Sequence, residues 1–264
     1  MAKAAGPVSW TQTEHEIAGV KVQVKRGGKG SPVLVLHHDF GMPDSSPFLD
    51  GLAAKHDVIV PTHPGWGNSQ RPEWMRSVRD VAAMYRMLLP GLGVDKVAMV
   101  GLGFGGWIAA EMLTFASNDV GGVVLVGAMG VKPPDGYIFD QAIVSYIDYA
   151  QAAFHSDKGF KASYGDVSTD QLEAWDIARE MCFRIAWKPY MYSQTLPHLL
   201  RSVKTPALLV WGEHDKIVPI SAAEAFKKAL PNARLEIVKG SGHAVGLEKP
   251  AELLAIVDSF ISAK

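Results

Sequence analysis

Val97-Ala98-Met99-Val100-Gly101-Leu102-Gly103-Phe104-Gly105-Gly106-Trp107-Ile108-Ala109-Ala110-Glu111 is the stretch on which the fold turns. Val97 to Val100 is a short apolar run, the pattern of a strand buried on both faces. Phe104 to about Phe115 carries a helical pattern, and four glycines lie at or just beyond the junction. Two strand–turn–helix motifs fit. Gly101, Gly103 and Gly106 satisfy G-x-G-x-x-G, the dinucleotide fingerprint. That motif needs an acidic residue about 20 positions on, at the end of the next strand, to bind a ribose. The next strand ends Val126-Gly127-Ala128-Met129 and supplies none. The alternative is a nucleophile elbow, G-x-S-x-G, in which a sharp turn lifts one side chain over the sheet. Gly101, Gly105 and Gly106 occupy its small-residue places, and the position that would carry serine is Gly103.

Working outward, similar apolar runs recur at Pro32–Leu36, Val58–Val60, Val123–Val126 and Ala207–Trp211, with a more mixed strand at Leu235–Val238. Ile17–Lys25 alternates apolar and polar residues and reads as one half-exposed strand. Helical patterns fall over Val78–Leu89, Ala222–Leu230 and Ala251–Ile261. Buried strands alternating with amphipathic helices define an α/β class with a mostly parallel sheet. From Val131 to about Pro197 no buried strand appears, and aromatics are dense. That is too long for an ordinary connection. It reads as a helical cap, residues 131–197, inserted in a core formed by 1–130 and 198–264.

Composition narrows the function. Of 264 residues, 26 are Lys or Arg and 27 are Asp or Glu, giving a net charge of −1. A nucleic-acid binder needs a basic face, so none is expected. One cysteine, Cys182, excludes an intramolecular disulfide and a cysteine-rich metal site. No run approaches the ~20 apolar residues of a membrane helix. The amino-terminal residues MAKAAGPVSWTQ contain no apolar core of a secretory signal, so a cytoplasmic protein is expected. His37, His38, Asp39 and His63 raise the question of a metal. Successive residues at a strand end point in opposite directions, so neither a metal nor another cofactor is expected.

Four further motifs stand in order: Leu36-His37-His38-Asp39-Phe40-Gly41, Pro61-Thr62-His63-Pro64-Gly65-Trp66-Gly67-Asn68-Ser69, Trp211-Gly212-Glu213-His214-Asp215-Lys216-Ile217-Val218-Pro219, and Ser241-Gly242-His243-Ala244. With the elbow, they resemble the α/β-hydrolase superfamily, in particular its capped branch of carbon–carbon bond hydrolases, esterases and cofactor-free dioxygenases. The resemblance implies His243 as general base and Asp215 as the carboxylate orienting its ring, with the backbone N–H groups of Phe40 and Phe104 as an oxyanion hole. It covers nearly the whole chain and departs from the family at Gly103, which has no hydroxyl, and at Asp39, where glycine is usual.

A dyad without its serine has three uses. His243 can activate water, in the space of the serine side chain, against a small ester, lactone or β-dicarbonyl compound. It can take a proton from the substrate itself, as in a cofactor-independent lyase or dioxygenase. Or the chain is a pseudohydrolase that binds a small molecule without turnover. The first is the expected chemistry, acting on a small-molecule carbonyl substrate. His38, Trp187 and Tyr190 are the expected pocket residues, with His38 reaching the oxyanion loop.

Overall fold

The computed structural model describes residues 8–43, 45–115 and 119–263. Residues 1–7, on which most of the signal-sequence reading rests, lie outside them. Among the described residues, eight strands form one sheet: β1 (Trp10–Ile17), β2 (Val20–Gly27), β3 (Pro32–Leu36), β4 (Asp57–Pro61), β5 (Val97–Leu102), β6 (Val120–Val126), β7 (Ala207–Gly212) and β8 (Ala233–Val238). Their order is β1-β2-β4-β3-β5-β6-β7-β8. The β1–β2 and β2–β4 pairs are antiparallel and the rest are parallel. The helices are α1 (Pro47–Ala53), α2 (Val78–Gly91), α3 (Phe104–Leu113), α4 (Tyr146–Ala152), α5 (Asp157–Tyr164), α6 (Thr169–Ala186), α7 (Leu196–Leu200), α8 (Ser221–Ala229), α9 (Val245–Glu248) and α10 (Pro250–Ser262). This is the α/β-hydrolase fold.

Strand β3 shows how the sheet builds its two cores. Successive side chains leave a strand on opposite faces. Val33 and Val35 join Phe48 and Leu52 of α1 and Leu253 and Val257 of α10. Leu34 and Leu36 join Val81 and Tyr85 of α2 and Ile108 and Met112 of α3. All of these side chains are at most 2% exposed. Full burial of an aliphatic side chain contributes about 1.5–3 kcal/mol. A run that is apolar at every position is therefore stable only in the middle of such a sandwich.

The reading of Ile17–Lys25 as one strand is corrected. The chain reverses at Ala18-Gly19, both at positive φ (52° and 74°), and Ile17 pairs with Val20 across a two-residue hairpin. Such loops want φ > 0 at both central positions. Gly19 supplies one, but Ala18 is an unusual host for the other and hid the turn. Between residues 131 and 197 lie α4, α5, α6 and the start of α7, and no strand of the sheet. Phe154, Phe160, Tyr164 and Trp175 there pack ring on ring at centroid distances of 5.2–6.5 Å.

Candidate active site

Strand β5 hands over to α3 through Gly103, whose φ of 52° and ψ of −110° are far from what a residue with a side chain prefers. The turn is held by Gly103 N–H donating to Val126 O (2.8 Å) and Gly106 N–H to Gly103 O (3.0 Å). Gly105 N–H donates to His37 O at 2.9 Å. A Cβ on Gly105 would stand 2.2 Å from Leu36 O, so helix and sheet approach too closely for any side chain there. The Phe104 amide takes no part in these turn bonds. A Cβ built on Gly103 would point between two imidazoles, 2.5 Å from His38 Nδ1 and 2.7 Å from His243 Nε2.

His243 follows β8 on the loop into α9, and Asp215 follows β7. The two meet with His243 Nδ1 donating to Asp215 Oδ2 at 2.9 Å. The carboxylate's other oxygen accepts from the amides of Ile217 (2.9 Å) and Val218 (2.8 Å). Both side chains are essentially fully buried. Burial alone would depress the His243 pKa, but the charge and hydrogen bond of Asp215, with Asp39 behind them, outweigh it and raise the pKa above 6.5. The Nδ1 bond fixes the tautomer, so Nε2 is the basic nitrogen. Nε2 is buried and has no partner. Glu248, which follows His243 in the same motif together with Lys249 and Pro250, shapes this loop. Its Oε2 accepts from Gly242 N–H (2.6 Å) and its Oε1 from His155 N–H (2.9 Å), tying the His243 loop to the start of α5.

After β3 the chain makes a tight turn, with Gly41 N–H donating to His38 O at 3.0 Å. Trp66 Nε1–H donates to Asp39 O at 2.6 Å and pins it. The His38 ring stacks on Phe40 (4.7 Å, 9°) and stands 5.0 Å from the His243 ring. Burial, reinforced by His243 and His37, keeps the His38 pKa well below 6.5. Asp39 Oδ2 accepts from Tyr149 Oη of α4 at 2.7 Å. Burial raises the Asp39 carboxyl above its ordinary range, opposed by His243, Tyr149 and the amides of Asp39 and Phe40. Tyr149 lies 110 positions from Asp39 and carries no local signal.

His37 and His63 are used differently. His63 N–H donates to His37 Nε2 (2.9 Å), so His37 is protonated at Nδ1, which reaches His38 O at 2.7 Å. His63 Nε2–H donates to His37 O (3.0 Å) and its Nδ1 accepts from Tyr85 Oη (2.8 Å). Every ring nitrogen of the pair is engaged and both rings are neutral. Burial lowers the His37 pKa to about 4 and that of His63 well below 6.5.

Of the three expected pocket residues, His38 borders Gly103, Tyr190 lies near enough to Asp39 and Tyr149 to add to the burial that raises the Tyr149 pKa and to feel the Asp39 charge, and Trp187 lies at the surface. Trp187, just past α6, is 42% exposed and packs edge-on against Phe183 and Tyr190. The Tyr190 hydroxyl donates to Phe139 O and accepts from Gln141 N–H, a structural role. The rings beside His243 are those of His38 (5.0 Å) and Phe40 (6.5 Å). A cavity of about 330 Å³ comes up to Phe40, Trp66 and Tyr164 but is not lined by His38, Asp39 or His243. His38 and Asp39 each border a space of about 10 Å³, enough for about one water. The larger cleft of about 560 Å³, lined by Lys132, Tyr192, Arg201 and Glu224, holds none of this chemistry. No helix among the described residues is long and apolar enough to cross a membrane.

The chain belongs to the alpha/beta hydrolase family, whose sequence pattern matches residues 34–256. It is 27% identical to a putative carbamate hydrolase, RutD, of Pseudomonas savastanoi pv. phaseolicola, covering 89% of this chain and 95% of the relative. It is 24% identical to the 2-hydroxy-6-oxo-6-(2'-aminophenyl)hexa-2,4-dienoic acid hydrolase of Metapseudomonas resinovorans, covering 93% and 89%. Among solved structures, a mutant of the meta-cleavage product hydrolase CumD superimposes with a TM-score of 0.79 at 21% identity, covering 96% of this chain and 98% of the other.

Proposed function

We propose that this chain is a cytoplasmic hydrolase that cleaves a small ester, lactone or β-dicarbonyl compound without a covalent enzyme intermediate. The observation that carries this reading is His243 Nε2: basic, buried, unpartnered, and 2.7 Å from the point where a Gly103 side chain would begin. Water held there gives its proton to Nε2 as its oxygen attacks the substrate carbonyl carbon. Asp215 stabilises the imidazolium that forms, and His243 returns the proton to the departing oxygen or carbon. The amides of Phe40 and Phe104 receive the developing oxyanion. General-base assistance supplies about 10²–10⁴-fold and an oxyanion donor about 10²–10³-fold, enough for an activated carbonyl. The helical segment 131–197 acts as a cap over this centre.

The test is turnover of aryl esters, lactones and β-diketones by the wild type beside His243→Ala, with a fluorophosphonate probe run in parallel. Hydrolysis that disappears with His243, and no labelling by the probe, is the expected outcome. Stoichiometric labelling of a serine, or turnover that survives His243→Ala, overturns the reading. Oxygen uptake, or cleavage without water incorporation, assigns the base to substrate deprotonation instead.

A further inference from the structure

Around Gly103 three buried side chains each hold an atom with no hydrogen-bond partner: His38 Nδ1, Asp39 Oδ1 and His243 Nε2. Ligand atoms of these residues, one from each, lie within 4.8 Å of one another. An unpaired buried polar atom is costly, and three in one cluster are not explained by packing. We propose that they form a site for a divalent transition-metal ion, Zn²⁺ in the first instance, and that the missing side chain of Gly103 is what makes room for it.

The donor set fits. Two imidazole nitrogens and one carboxylate oxygen suit Zn²⁺ and its first-row neighbours, and three protein ligands leave a position for water. Zn–N distances of about 2.0–2.1 Å put tetrahedral ligand atoms roughly 3.4 Å apart. The widest separation of 4.8 Å therefore closes with a movement of roughly 0.7 Å at each end. Two ligands are already braced from behind. Asp215 Oδ2 holds His243 Nδ1–H at 2.9 Å, the arrangement that orients metal-bound histidine. Tyr149 Oη holds the other Asp39 oxygen at 2.7 Å, which leaves the buried Oδ1 without a partner. The site is not the histidine cluster that adjacency in sequence suggests, because His37 and His63 saturate each other and Tyr85. It joins the end of β3 to the loop after β8.

Binding of the ion does not depend on the proposed hydrolysis, but its effect on turnover rests on that reading. His243 Nε2 has one lone pair, so it cannot ligate a metal and accept a proton at once. Zn²⁺ on the site shuts off base-driven hydrolysis.

The experiment titrates chelator-treated full-length protein with Zn²⁺ alone, by calorimetry and by competition with a chromophoric chelator. The expected result is one equivalent bound, weakened at least 100-fold by His38→Ala and by the near-isosteric Asp39→Asn. Asp215→Asn, which touches only the brace, weakens it about 10–100-fold. X-ray absorption then shows only nitrogen and oxygen neighbours at about 2.0–2.1 Å. His155 and His214, stacked at 4.0 Å on another part of the chain, are the control for adventitious binding. No stoichiometric binding by the folded wild type, or binding lost in His214→Ala and kept in Asp39→Asn, overturns the proposal. Circular dichroism of each variant separates loss of the site from loss of the fold. Binding as expected with hydrolysis suppressed by Zn²⁺ supports both readings. Binding as expected with hydrolysis raised by Zn²⁺ keeps the site and overturns His243 as the base.

Discussion

Adding a single methyl group at Gly103 tests the geometry on which both readings stand. Gly103→Ala meets two independent costs. The backbone at φ 52°, ψ −110° imposes about 1–3 kcal/mol on a residue with a Cβ. The new carbon would also lie 2.5 Å from His38 Nδ1 and 2.7 Å from His243 Nε2. Overpacking of this kind costs about 1–3 kcal/mol. The sum, roughly 2–6 kcal/mol, is a large part of the roughly 5–15 kcal/mol that holds a typical domain together. Urea unfolding followed by fluorescence and circular dichroism measures it. The two contributions separate in a double-mutant cycle with His38→Ala. Removing the imidazole relieves the closer collision and leaves the backbone strain, so the double variant is more stable than the sum of the singles by about 1–3 kcal/mol. Strict additivity would refute the placement of His38 against Gly103. A Gly103→Ala protein within about 0.5 kcal/mol of wild type, the range of an ordinary surface change, would refute the elbow geometry as a whole.

Three other perturbations bear on the same centre. Asp215→Asn keeps the shape but removes the carboxylate that fixes the His243 tautomer, and hydrolysis by the reactive substrates should fall about 10²–10⁴-fold in kcat; an unchanged kcat would mean that His243 is not the base. Tyr149→Phe takes away the hydroxyl that donates to Asp39 Oδ2 and should destabilise the fold by about 1–3 kcal/mol in urea unfolding, whereas a change below about 0.5 kcal/mol would show that Asp39 finds another donor. His63 is held neutral, its folded pKa lowered well below the 6.5 of the free imidazole by burial. The unfolded chain therefore takes up a proton as pH falls below 6.5 while the folded chain does not, and stability declines by up to about 1.4 kcal/mol per pH unit from this residue. His63→Gln should lose that part of the slope; identical slopes would place His63 in contact with solvent.

Legibility in the sequence followed from how local each signal is. Pro32–Leu36 reads correctly to the residue because an uninterrupted apolar run bounded by Ser31 and His37 has one stable home, the middle of the sheet. Helix α1 escapes because seven residues hold too few turns to show a period, although Ser46 caps Leu49 N–H and Pro47 starts the helix. The hairpin at Ala18-Gly19 escapes because Ala at positive φ is not a turn signal. At the candidate site, Asp215 and His243 each sit in a recognisable turn, and the fold brings them to 2.9 Å. Asp39 reads only as an unusual carboxylate. Its donor Tyr149, and its approach to His243, depend on chain segments more than about 100 residues away. Trp187 and Tyr190 read as pocket residues because aromatics are dense where cap and core would meet, and density does not say which way a ring faces, so Trp187 lies at the surface while Tyr190 lies near Asp39.

The groups proposed to react are sealed. His243 is wholly buried, His38 and Asp39 are 2% exposed, and the spaces beside the latter two admit about one water each. If residues 131–197 cap this centre as proposed, a substrate arrives only when their helices swing aside, an event that occurs on the microsecond-to-millisecond scale in enzymes with moving lids. Selection then becomes a matter of clocks. Esters whose leaving groups differ widely in reactivity converge on one ceiling rate, set by how often the door opens, and only sluggish substrates report the chemistry beneath it.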